Sequence, residues 1–122
     1  MKTNIKGTDV VLTPDIREQV GKVCSTLEKL SDTDSESLVC AVEVGRTTEH
    51  HQQGKIFRAE VNFSAAGEYF RAEAEAETVA NALDSVRDEL KRVLSHRKHK
   101  KQSIARRTGA RLKEIFRFGK KS

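Results

Sequence analysis

The sequence predicts an α+β domain: a two-layer sandwich of element order β-α-β-β-β-α, with two helices on one face of a four-stranded sheet and a basic C-terminal helical extension. Three observations predict it. Thr13-Pro14-Asp15 opens a stretch of helical periodicity, and two runs of strict apolar–polar alternation flank Ser64-Ala65-Ala66-Gly67. A second helical stripe then begins near Thr78 and passes into a run of Lys and Arg. Strand and helix patterns in that order bury their apolar faces by laying both helices on one side of one sheet.

Lys2–Lys6 is short, β-compatible and closed by Gly7, which makes it a first strand. The first helix starts at Thr13, where a hydroxyl can cap free amides, Pro14 needs no amide hydrogen, and Asp15 faces the positive helix end. Its apolar stripe is Ile16, Val20, Val23, Leu27 and Leu30, with Cys24 beside it, and the turn-forming run SDTDSES ends it. Leu38–Val44 (LVCAVEV) is a near-continuous β-rich run, an inner strand, and the polar stretch from Gly45 to Lys55 is an exposed loop.

In the next run Phe57, Ala59, Val61 and Phe63 share one face, opposite Arg58, Glu60 and Asn62. In the one after it Phe70, Ala72, Ala74 and Ala76 share a face, opposite Tyr69, Arg71, Glu73 and Glu75. Period two marks strands buried on one side. Charge suggests their register: a turn centred on Ala65-Ala66 sets Glu60 against Arg71 and Arg58 against Glu73, whereas a shift to Ala66-Gly67 opposes Glu60 and Glu73. The first register is expected. The second helix carries its stripe on Val79, Leu83, Val86, Leu90 and Val93 or Leu94. The next inward positions, Arg97 and Lys101, are unsuited to a packed core, so the helix should outrun the sheet.

Charge is distributed very unevenly. Residues 91–121 hold thirteen Lys or Arg and one acid, a formal +12; the first ninety hold ten bases and seventeen acids, a formal −7, which leaves the chain's +5. No acid lies between Arg97 and Lys113, unlike a balanced surface helix, and this points to a polyanionic partner. Past the stripe, Ile104, Leu112, Ile115, Phe116 and Phe118 are interrupted by Gly109, which leaves a short amphipathic helix and a disordered tail both open. The organisation expected is a body, residues 1–96, and a basic extension, residues 97–122.

Composition narrows the rest. With 122 residues, 36% hydrophobic content and no Trp, the chain should form one domain with a small aliphatic core. No apolar run is long enough for a membrane span and the N-terminus shows no secretory h-region. Cys24 and Cys40 sit inside apolar patterns without metal-ligand spacing, so reduced, buried thiols and a cytoplasmic setting are expected.

Thr13-Pro14-Asp15-Ile16-Arg17, the helix end Leu27-Glu28-Lys29-Leu30, the hairpin and the following helix ANALDSVRDELKRVL together resemble the ribosome hibernation-promoting factor and ribosome-associated inhibitor A family, over about residues 1–100. The resemblance implies a fold similar to double-stranded RNA-binding domains. It implies a non-enzymatic protein that binds the small ribosomal subunit and its rRNA, occludes messenger- and transfer-RNA sites, and idles the ribosome. Two features depart from the family: Glu77-Thr78-Val79-Ala80 replaces an acid followed by an aromatic, and Glu89 replaces a mid-helix lysine. The C-terminal domain through which long members pair ribosomes is replaced by the basic tail, so this chain reads as a short form, a monomer off the ribosome.

The RNA-binding candidates are Arg17, Lys22 and Lys29 on the first helix and Arg87, Lys91 and Arg92 on the second. The basic run adds Arg97, Lys98, Lys100, Lys101, Arg106, Arg107, Arg111 and Lys113. Arg17, Lys29 and Arg92 stand at positions the family match covers directly. Without the resemblance, a general RNA- or DNA-binding module or a protein-interaction domain with a basic tail fits the same charges. Glu60, Glu73 and Glu75 are interleaved with arginine on an open face, a poor setting for acid–base catalysis. Neither His50-His51 nor His96 with His99 has the company of a metal site, and no cofactor is expected. Tyr69 points outward without the aromatic set of an RRM-type platform.

Overall fold

β1 (Lys2–Thr8) and β2 (Leu38–Arg46) pair in parallel, so the chain between them must cross back over the sheet, and it does so as α1 (Pro14–Leu30). A single 3-10 turn, Ser35–Ser37, then leads into β2. β3 (Phe57–Ala65) and β4 (Glu68–Ala76) follow as a hairpin, giving the sheet order β1-β2-β3-β4, and α2 (Val79–Phe118) closes the chain. The computed structural model describes residues 1–31, 35–47 and 56–118, with side chains described to residue 98. The predicted α+β order is the observed one.

The first helix begins as its sequence dictates. Thr13 is extended (φ −71°, ψ 161°), and its Oγ1 accepts from the Ile16 amide at 3.2 Å, with Pro14 in the first turn. Val20, Val23, Cys24 and Leu27 are buried against the sheet, and Ser31 N donating to Glu28 O closes the far end. The sheet meets this stripe with Leu38, Cys40, Val42 and Val44 of β2 and Ala59, Val61 and Phe63 of β3. α2 adds Ala82, Leu83, Val86, Leu90 and Leu94. A Leu27→Ala or Leu83→Ala change at the centre of this aliphatic layer costs about 2–5 kcal/mol.

Four expectations are corrected. β2 runs on to Arg46, so Gly45 is a strand residue rather than the start of a loop, and Thr47 N reaches Ile56 O at 2.7 Å. The rest of the predicted loop, with His50-His51, lies outside the described residues. Cys24 and Cys40 are buried as expected but joined as a disulfide, with Cα atoms 6.1 Å apart. The inward stripe of α1 sets Cys24 over Cys40 within bridging distance, an adjacency that no sequence spacing announces.

The hairpin takes the other register: Glu60 faces Glu73, Asn62 faces Arg71 and Arg58 faces Glu75. Its turn is Ala66-Gly67, with φ of 49° and 82°. Positive φ at both central residues gives the primed turn whose twist matches that of the strands, and this outweighs a few tenths of a kcal/mol from facing charges. The charges then pair diagonally. Arg58 Nη2 contacts Glu60 and lies 2.7 Å from Glu73, and Arg71 Nη2 is 3.2 Å from both.

Finally, α2 is one uninterrupted helix of 40 residues through Gly109. A lone glycine costs a helix about 1 kcal/mol, too little to break one this long. At 1.5 Å per residue α2 is roughly 60 Å long, twice the roughly 30 Å of a nine-residue strand such as β4.

Candidate nucleic-acid interface

The helical side of the body carries every predicted body residue, and the packing of the two helices decides which of them are neighbours. Gln19 Nε2 donates to Ala80 O at 2.9 Å and Asp84 Oδ1 at 3.1 Å, so the middle of α1 lies beside the first turns of α2. Both helices run opposite to β2 and β4, hence alongside each other in the same direction. On α1, Lys22 and Lys29 lie one above the other on the outer side, away from the sheet; on α2, Arg87 and Lys91 occupy the flank that also bears Ala80 and Asp84, nearer α1. Arg17 stands on the far flank of α1 and Arg92 on the far flank of α2, so they bracket this surface rather than join it.

Several of these bases already have partners. Lys22 Nζ lies 3.6 Å from Glu18, and Arg92 Nη2 lies 2.7 Å from Glu89. Arg87 spans Asp84 at 3.3 Å and Asp88 at 3.0 Å. Exposed pairs of this kind are worth about 0–1 kcal/mol, so a phosphate can displace the carboxylate at little cost. Arg17, Lys29 and Lys91 are exposed and form no ion pair among the described residues. Along α1 itself Arg17, Lys22 and Lys29 are matched by Asp15, Glu18 and Glu28. The excess of positive charge therefore belongs to α2.

Arg97 lies where the helix comes level with the start of β4. It keeps the inward phase of the stripe, as predicted, but it is not left unpaired: Nε donates to Glu68 Oε2 at 2.9 Å, at the first residue of β4. The sequence pattern does not announce this partner, although strand and helix lengths contain it. The eighteen residue steps from Val79 to Arg97 rise about 27 Å, close to the length of β4, so the helix reaches the beginning of that strand there. Lys98 is half-buried beside this junction. Lys100, Lys101, Arg106, Arg107, Arg111 and Lys113 belong to the helical run to Phe118, and their side chains lie outside those described.

The opposite face of the sheet has a different character. Glu43, Glu60 and Glu73 form a row across β2, β3 and β4, with Lys6 and Thr8 on Glu43 and two arginines between the other two. Arg71, Asn62 and Arg58 together hold the Glu60 carboxyl well below the usual carboxylate range, at about 2, against the opposing effect of burial. The Arg58 guanidinium is pushed up by its bond to Glu73, and that of Arg71 by its bond to Glu60. These groups neutralise one another. Two open depressions lie on this face among the described residues, one over Asn4, Lys6, Ala41 and Glu43, another at Arg58, Glu73 and Glu75. Among the described residues no cluster of His, Cys, Asp and Glu could hold a metal ion, and no helix is long and apolar enough to cross a membrane. The His96–His99 pair has only His96 among the described side chains.

Comparisons with known proteins fit this geometry. The family profile described as sigma 54 modulation protein / S30EA ribosomal protein matches residues 3–102. The N-terminal domain of Protein Y from Thermus thermophilus shares the fold with a TM-score of 0.64 at 23% identity, over 79% of this chain and 98% of that one. A ribosomal subunit interface protein from Coxiella burnetii shares it with a TM-score of 0.63 at 18% identity, over 81% of this chain and 99% of that one. Comparison with curated protein sequences finds no match.

Proposed function

The chain belongs to the sigma 54 modulation protein / S30EA ribosomal protein family, and on that premise we propose that it is a ribosome-binding translation inhibitor that idles the small subunit. The body, residues 1–96, docks through its helical side on ribosomal RNA and covers the messenger- and transfer-RNA sites. The extension, residues 97–122, follows phosphates outward from the docked body. The protein acts in the cytoplasm as a monomer when off the ribosome, and its effect is steric, without a catalytic step or cofactor.

One observation carries the reading. α2 continues as helix from Arg97, which is bonded to Glu68 of β4, to Phe118, over a stretch with nine Lys or Arg and the single acid Glu114. A rod of that charge has no use within the body. Polyanionic RNA is the partner that would repay its self-repulsion, through release of counterions from phosphates. Two further features support it. Arg17, Lys29 and Lys91, exposed on the two helices, form no ion pair among the described residues, whereas Arg58 and Arg71 of the sheet face are held by carboxylates. The structural relatives named above also include a protein described as belonging to the ribosomal subunit interface.

The test is competition on purified small subunits programmed with messenger and labelled tRNA. Added protein should displace tRNA in proportion to its own binding, reaching full displacement near one protein per subunit. Simultaneous saturation by protein and tRNA would show that the bound protein leaves the decoding sites open.

A further inference from the structure

We propose that Asp84 and Asp88 withhold Arg87 from RNA and so set a boundary to the phosphate-binding surface of α2, which makes them specificity determinants against RNA at large. The inference rests on the RNA-binding reading above and deepens it by saying where contact stops. Charge reverses within this one helix. From Val79 to Leu90 it carries Asp84, Asp88 and Glu89 against the single base Arg87; from Lys91 to Lys113 it carries ten Lys or Arg and no acid. Arg87 stands at the boundary, and of the six bases predicted on the body it alone is half-buried.

Its partners set it apart as well. Lys22 and Arg92 each meet one carboxylate, whereas Arg87 meets two. Asp88 Oδ1 accepts from Nε at 3.1 Å and lies 3.0 Å from Nη2, and Asp84 Oδ1 accepts from Nη1 at 3.3 Å, so all three nitrogens are engaged. Asp84 is held in turn by Gln19 of α1, at 3.1 Å. Breaking such pairs costs little, but it does not remove the carboxylates, which stay beside Arg87 on the same helix. A phosphate there would meet one positive charge and two negative ones at similar range, and the balance is repulsive. Lys91, one turn on, forms no ion pair among the described residues. RNA laid along the whole helix therefore brings phosphates onto Asp84 and Asp88, while RNA shaped to start at Lys91 does not. Like-charge contact of this kind rejects wrong partners rather than strengthening the right one.

The test uses Asp84→Asn/Asp88→Asn, in which each amide oxygen can accept the same hydrogen bonds while the charge is gone. The probes are a short RNA duplex of random sequence and purified small subunits. The double variant should bind the duplex roughly five- to tenfold more tightly at about 0.1 M salt, with a slope of log K against log salt steeper by about one, because Arg87 becomes a phosphate contact. Its affinity for small subunits should rise less, so that selectivity falls. Adding Arg87→Gln should remove most of that gain and return the slope, and should weaken duplex binding less when made in the wild-type protein. An equal loss from Arg87→Gln in both backgrounds would show that the carboxylates withhold nothing and would overturn the proposal. So would a double variant with the wild-type affinity and slope, or one that gains equally on both probes; each of these leaves the basic surface standing. Failure of the wild-type protein to bind either probe would overturn the RNA-binding reading and the boundary with it.

Discussion

Replacing Glu60 by Gln should weaken the fold and flatten its response to acid, because this carboxylate is the hinge of the charge network on the sheet's open face. Its two oxygens accept from Arg71 Nε and Nη2 at 3.2 Å, from Asn62 Nδ2 at 2.9 Å and from Arg58 Nη2, and the side chain is only 14% exposed. The carboxyl titrates at about 2 in the folded protein against 4.5 ordinarily. Taken at face value that interval is worth about 3 kcal/mol at 1.36 kcal/mol per unit. Solvent screening across an open sheet face reduces it to about 1 kcal/mol. The sign follows from the depressed value. Above pH 4.5 both states are ionised and the full contribution is present. Between 4.5 and about 2 the unfolded chain takes up the proton first, so stability falls as the pH drops. Urea unfolding of wild type and Glu60→Gln at several pH values should show the variant about 1 kcal/mol weaker near neutrality, with the gap closing toward pH 2. Equal stability at neutral pH with identical acid dependence would refute the network as a source of stability.

Other changes test other parts of the structure. Ala66 holds a φ of 49° that costs an L-residue about 1 kcal/mol, so Ala66→Asn, which creates an Asn-Gly turn, should raise stability by about 0.5–1 kcal/mol in thermal or urea melts. Reducing the Cys24–Cys40 bond, which spans 16 residues, should lower stability by about 3 kcal/mol; mass spectrometry should find the released thiols slow to alkylate in the folded protein, since both sites are buried. Removing residues 103–122 should leave the unfolding of the body unchanged. It should also weaken small-subunit binding, and the salt slope should fall by about one for each phosphate that the shortened chain no longer neutralises.

The elements themselves were legible because each rests on a local rule. Thr13-Pro14-Asp15 caps a helix whatever surrounds it, and period-two alternation exposes the same side chains in any register. Two features depend on what lies across a gap in sequence. The hairpin register turned on the backbone conformation of Ala66-Gly67, where the twist of the turn outweighed the facing charges that favour the alternative. The Cys24–Cys40 bond depends on how α1 is rotated over β2, which the apolar stripe implies only once the helix has been laid on the sheet. Phasing put Arg97 and then Lys101 at the inward positions that follow the apolar stripe, but the partner of Arg97, Glu68, is 29 residues away and becomes visible only when strand and helix lengths are compared. Which flank of α2 lies against α1 was decided by Gln19, a polar residue that no charge pattern singles out.

The central claim is that the helical side of the body, with the basic extension of α2, docks on ribosomal RNA. It is tested most directly by small-subunit affinity across a salt series, for wild type and for the doubly substituted Lys29→Ala/Lys91→Ala protein. Both lysines are exposed, without ion pairs among the described residues, one on each helix. If about seven phosphates are neutralised, log K for wild type falls with log salt at a slope near −6, and leaving two of those phosphates without a lysine makes that slope shallower by about 2. Binding that is insensitive to salt, or a double variant with the wild-type affinity and slope, would contradict the account.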